Sequence, residues 1–230
     1  MTRRVKLYSV TGFSWLPVAD VRRRFDGRAA LDSLLQRAGF PTVLHAAAAF
    51  SAFHHPDTVA QSRGLPLFPV VRCKAMKERE KYVERNGRLV MLDDNFPPTY
   101  AFSIPARVSG CDDIQFNHLW PQSDDWRYYT ALWNICPTPA FISKLTDSDA
   151  EVRSALRYRS FHLYGYLPEG SPLPNKPESY EELPWTEPFP AVTDLEGLYR
   201  SRLKNENNRV SRCARKCGWL YSDFQPDGLL

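Results

Sequence analysis

The sequence predicts an irregular α+β domain with a helical N-terminal part, a mixed centre and a basic C-terminal segment. Three observations carry this reading. The 230 residues include 19 prolines and are 13% aromatic, which points to large aromatic anchors set among many loops rather than to a clean helical bundle. Helix-spaced apolar positions alternate with strand-like runs, one of which carries the hairpin signal Asn86-Gly87. Basic residues gather near the C-terminus, where Arg200, Arg202, Lys204, Arg209, Arg212, Arg215 and Lys216 face Glu206 alone. A chain of this length can bury a sizeable core without a disulfide framework. Its organisation reads as a helical and hairpin region over 1–98, a central region over 99–167, and a Pro-rich acidic strap with the basic segment over 168–230, packed as one unit.

Residues 1–16 read as a short strand and a turn at Gly12. Residues 18–39 read as helices broken at Gly27, with Ala30, Leu31, Leu34, Leu35 and Ala38 at helical spacing. The alanine-rich run 42–53 predicts a buried helix, ended by His54-His55-Pro56-Asp57, because a proline disfavours helix in the residue before it; both imidazoles are expected at the exposed helix end. The Pro-punctured run 65–71 suits an edge strand or a packed loop. Residues 74–81 are charged and helix-prone, and 82–92 form a hairpin turning at Asn86-Gly87, whose residues accept the positive φ angles of a type I′ turn. Asp93-Asp94-Asn95 then leaves the sheet.

Runs 100–107 and 113–119 read as two further strands around Ser109-Gly110. Thr138-Pro139 reads as a helix start, and Ser148 with Glu151 as the capping box of a second helix, which Gly165 and Pro168 end. Residues 168–190 hold seven prolines and five glutamates, the composition of an extended wrapping segment or a linker. Residues 193–217 read as a basic helix, and the chain closes on a small packed end from Gly218.

Net charge is +4, a mild lean toward anionic partners. The cysteines at 73, 111, 136, 213 and 217 contain no Cys-x-x-Cys pair, so a zinc knuckle is not expected and free thiols in a reducing cytoplasm are. No signal-peptide pattern and no apolar run long enough to span a membrane is read in the chain. The aromatics Trp120, Trp126, Tyr128, Tyr129 and Trp133 fit either a core or a base-stacking surface, and His162 fits helix packing. The basic run 200–217 fits either a solvated face or phosphate contact.

One stretch carries chemistry. It reads Asn117-His118-Leu119-Trp120-Pro121, then Ser123, then, sixteen residues after His118, Asn134-Ile135-Cys136. Hydrolysis of a phosphodiester needs an activated water and charge stabilisation at the phosphate. A neutral imidazole can take the water's proton, and a divalent cation held by oxygen ligands can polarise the phosphate. The pattern resembles the HNH (ββα-metal) endonuclease family over about thirty of the 230 residues. The resemblance implies an embedded ββα-metal unit, with His118 as general base, Asn134 as the residue that orients its loop, and Asn117 as a ligand of Mg²⁺ or a similar ion. It also implies DNA as substrate and a setting in bacterial or phage defence or in mobile elements. The sequence has Asn117 where the family commonly has Asp, and Ser143 at the third motif position. Asp147 and Asp113 are therefore the further candidate ligands. Arg202, Lys204, Arg209, Arg212, Arg215 and Lys216 are the candidate phosphate contacts. The rival expectations are a catalytically inactive HNH-like module that binds DNA or a protein partner, and a structural subunit docked through the strap.

Overall fold

The computed structural model describes residues 26–110 and 112–222; the strand, turn and helix start expected before residue 26 lie outside the described residues. The chain divides into a short unit ending at Ala46 and a main unit beginning at Ala47. In the short unit, helix α1 (Gly27–Arg37) is capped by Asp26, whose carboxylate accepts from the backbone N–H groups of Arg28 and Ala29. Of the apolar stripe expected on α1, only Leu35 is buried. Helix α2 (Val43–Phe50) follows.

The main unit is mixed α+β with two small sheets. Strand β1 (Val70–Arg72) runs parallel to β3 (Arg88–Asp93), and β2 (Tyr82–Arg85) pairs antiparallel with β3, giving the order β1-β3-β2. The hairpin turns where expected: Asn86 and Gly87 both take positive φ, 50° and 72°. Run 65–71 supplies the edge strand β1. The helix expected over 74–81 is only a single 3₁₀ turn at Met76–Glu78.

One expected element changes identity, and one expected helix start is preceded by a strand that was not expected. Run 100–107 is not a strand but most of helix α4 (Phe96–Ala106), which starts on Pro97-Pro98 and ends at Arg107 in the left-handed conformation. Its apolar residues surround the helix because the core encloses it, so no period of 3.6 was visible. Thr138-Pro139 ends strand β5 (Ile135–Pro139), paired antiparallel with β4 (Ile114–His118) in a second, two-stranded sheet, and the expected helix begins at the next residue, Ala140, with Pro139 as its N-cap. A two-stranded sheet tolerates the missing N–H groups of Pro137 and Pro139 because each strand has a free side. Short helices α5 (Trp126–Tyr129), α6 (Ala140–Ser143) and α7 (Leu145–Ser148) flank this pair.

The long helix α8 (Ala150–Tyr164) is capped by Asp149 rather than by Ser148, and Gly165 at φ 74° ends it. The expected C-terminal helix is two: α9 (Leu195–Asn205) and α10 (Arg209–Cys217), the second capped by Asn208. Both pack on α4, and α10 also packs on β3. The fully buried side chains Phe53, Phe68, Met91, Phe102, Trp133 and Tyr199 form the core. The strap is a wrapping segment. The Phe189 N–H donates to the Phe53 carbonyl at 2.9 Å, Trp185 meets the Phe53 ring edge-on, and Tyr180 is buried. Among the described residues, no helix is long and apolar enough to cross a membrane, and Cys73, Cys136, Cys213 and Cys217 are free thiols.

Gly64 sits where the core allows no side chain. Its φ is +72°, an added Cβ would lie 2.6 Å from the Tyr166 ring, and its carbonyl accepts from the Trp133 indole N–H at 2.7 Å. Gly64→Ala is expected to cost about 1–3 kcal/mol through strain and displacement of Tyr166, measured as a lower urea midpoint at unchanged slope.

Candidate functional site

Strand β4 places His118 at its last position, opposite Ile135 in β5. The loop joining the strands is pinned by Asn134, which is fully buried. Its side-chain oxygen accepts from the Trp120 N–H at 2.8 Å, and its amide donates to the carbonyls of Trp120 at 3.3 Å and Tyr128 at 3.2 Å. The Asn134 carbonyl accepts from the Leu119 N–H at 3.0 Å. Arg157 fastens the loop from α8, donating to the Leu119 carbonyl at 2.7 Å. Asn134 therefore stands at a loop–strand junction, not the loop–helix junction expected, and a helix follows only after β5.

The His118 ring stacks on Tyr129, with centroids 4.8 Å apart and planes 16° from parallel. Its Nε2 lies 2.8 Å from the Tyr129 carbonyl. A carbonyl only accepts, so Nε2 carries the hydrogen and the lone pair of the neutral ring is on Nδ1. Nδ1 has no hydrogen-bond partner among the described residues. Burial pushes the imidazole down to about 4, opposed by the bond to Tyr129 and reinforced by the nearby Arg72 charge. Part of the residue still reaches solvent. The arrangement gives a neutral ring of fixed tautomer with one free nitrogen; burial keeps it unprotonated at neutral pH and makes it a weaker base than a free imidazole.

The candidate metal donors do not gather around that nitrogen. Asn117 and His118 are neighbours in an extended strand and project to opposite faces. The Asn117 amide N–H donates to Thr138 Oγ1 at 2.8 Å. Asp113 is five positions up the chain from His118, roughly 16 Å along an extended strand; it has φ 55°, and its carbonyl accepts from the Ala140 N–H. Asp147 is exposed on α7, and Ser143 is buried in α6 with its hydroxyl donating to the Ala140 carbonyl. Among the described residues no group of three His, Cys, Asp or Glu is placed to hold a metal ion.

Two of the C-terminal cations, Arg209 and Arg212, meet acids brought from elsewhere in the chain. Arg209 pairs with Asp93 at 2.6 Å and Asp94 at 3.4 Å, and its guanidinium covers the Phe96 ring. Arg212 pairs with Glu80, Arg202 with Glu206 at 3.4 Å, and Arg215 donates to Asn207 Oδ1 at 2.9 Å. Lys216 lies 4.0 Å over the Tyr82 ring, while Lys204 is exposed. Sequence reasoning missed Asp93 and Asp94 as the ion-pair partners of this segment: the doublet at the end of an apolar strand was the available signal. Asp93 is fully buried, and burial pushes its carboxyl up to about 6 against the pull of Arg209.

The aromatic cluster at 120, 126, 128, 129 and 133 is buried, so it is core and not a base-stacking surface. His162 is exposed and leans on the rings of Tyr158 and Tyr180. His55 caps helix α3 (Pro56–Ala60) and is partly exposed. His54, expected exposed, is buried with its ring centroid 4.0 Å from that of Phe102, because the chain turns inward before α3. Burial lowers its imidazole to about 3. The neutral ring is favoured in the fold and the protonated ring in the unfolded chain. Its contribution is thus complete above about pH 6.5 and is lost as pH falls toward 3, at up to about 1.4 kcal/mol per pH unit. Urea midpoints at pH 7 and pH 5 are expected to separate more in the wild type than in His54→Leu, a comparison in which the other titrating groups cancel.

No family model, no curated protein and no solved structure matches the chain.

Proposed function

We propose that the protein is an HNH-like, divalent-metal-dependent endonuclease that hydrolyses DNA phosphodiester bonds, with His118 as general base. The observation that carries this reading is the union of strand, loop and strand around one imidazole. His118 ends β4, Asn134 ties the loop back onto itself before β5, and a short helix follows. The tautomer fixed by the Tyr129 carbonyl leaves Nδ1 to take a proton from water. Asn134 acts on the reaction through the loop it holds. The cation would supply charge stabilisation at the phosphate; Asn117, Asp113 and Asp147 offer the oxygen donors, but they do not converge beside His118.

The opposite facing of Asn117 and His118 favours a second reading, a non-catalytic module of the same shape that binds DNA or a protein partner. Plasmid nicking separates the two. Nicked product formed with Mg²⁺ and abolished by EDTA is the result expected of the nuclease. Salt-dependent DNA binding that is indifferent to metal, without cleavage, would identify the module.

A further inference from the structure

Most arginines at this end of the fold are already spoken for. Arg79 pairs with Asp94 at 2.7 Å, Arg127 with Asp125 at 2.7 Å, and Arg209 with Asp93. Arg72 is different. It ends β1, is exposed, and its guanidinium has no carboxylate or hydrogen-bond partner among the described residues. Asp93 is its register partner across the parallel pair, but that carboxylate is buried and turned to Arg209.

The position of Arg72 is fixed from both sides. Its N–H donates to the Ser123 carbonyl at 2.7 Å, inside the loop that joins His118 to Asn134. Helix α5 packs on β1, and α5 supplies Tyr129, whose ring stacks on His118 and whose carbonyl receives its Nε2 hydrogen. Arg72 and His118 therefore lie on elements packed around the same tyrosine, and the charge of Arg72 reaches both side chains. An exposed guanidinium with no anion of its own, near a neutral imidazole with a free nitrogen, leaves a place that an anion could fill. The planar fork of arginine suits phosphate oxygens.

We infer that Arg72 binds the phosphate group to be attacked and holds it beside His118. The inference rests on the nuclease reading for its substrate, but phosphate binding can be measured without cleavage. Inorganic phosphate titrated into the full chain is expected to shift the ring proton resonances of His118 saturably. Arg72→Gln is expected to weaken that response about tenfold or more, with partial recovery in Arg72→Lys, since a point charge replaces the fork. On plasmid DNA the Arg72→Gln variant is expected to raise KM more than it lowers kcat.

An equal phosphate midpoint in wild type and Arg72→Gln, or a His118 ring that never responds to phosphate, overturns the inference. The two readings fail separately. A wild type that nicks no DNA yet shows an Arg72-dependent phosphate response removes the nuclease and supports the anion site. A wild type and an Arg72→Gln variant that nick DNA equally well remove the role of Arg72 and leave the nuclease standing.

Discussion

His118→Ala is expected to lower the rate of metal-dependent DNA nicking by about a hundred- to ten-thousandfold, the range supplied by a positioned general base. The fold should survive. The substitution removes one hydrogen bond to the Tyr129 carbonyl and one stacked ring at a partly exposed position, a loss of about 1–3 kcal/mol. His118→Gln sharpens the test, because an amide can still donate to the Tyr129 carbonyl but cannot take a proton from water. If the imidazole acts as base, the two variants are equally slow and differ only in stability. Nicking at wild-type rate in both would remove His118 from the chemistry, and recovery in glutamine alone would reduce it to a brace for Tyr129. Initial rates on supercoiled plasmid at fixed Mg²⁺, with thermal melts of each variant, give both readouts.

Arg209→Ala is expected to destabilise the protein by about 3–5 kcal/mol, because it leaves the buried Asp93 carboxylate without its counter-ion. The Asp93 side chain is 0% exposed and that of Arg209 is 26% exposed. The pair lies in a largely desolvated setting where the loss of one member is severe. The sign of the pH dependence follows. Without Arg209 the Asp93 carboxyl rises further above its ordinary range and is protonated in the fold. The deficit of the variant is then smallest in mild acid and grows as pH rises toward 8. Adding Asp93→Asn to Arg209→Ala removes the unpaired charge and should recover a large part of the loss. A phosphate contact on a solvated face would behave otherwise, with Arg209→Ala as stable as the wild type at every pH and weaker only on DNA. Urea unfolding of the single and double variants at pH 5 and pH 8 distinguishes the two.

These outcomes bear on what a sequence can disclose. The hairpin over 82–93 was legible because Asn-Gly is a local signal whose backbone needs no tertiary help. Helix α8 was legible by its apolar spacing, although Asp149 took the cap from Ser148. Helix α4 was not, because residues buried on every side show no period. Strand β5 was not, because its five residues include Pro137 and Pro139 and run straight into a helix start, and only pairing with β4 makes them a strand. At the site, residue type and spacing picked out His118 and Asn134. The tautomer and the stacked Tyr129 were hidden, since they depend on how the loop folds back. The basic segment misled most. Its charge was counted along the chain, whereas its acids arrive from Glu80, Asp93 and Asp94 in another part of the fold.

The Asp93–Arg209 pair also orders events in time. Its partners stand 116 positions apart, and α10, which carries the arginine, packs on the strand that carries the aspartate. A ribosome delivers the sheet and the His118 hairpin well before the cation that neutralises Asp93. Until α10 arrives, β3 must either keep that carboxylate wet or leave the centre of the unit unclosed. Closure waits on long-range contacts made by the C-terminal segment, this pair among them, so the fold should condense late and slowly for its size. A nascent chain halted before residue 209 would hold an incomplete core and, with it, an unfinished setting for His118.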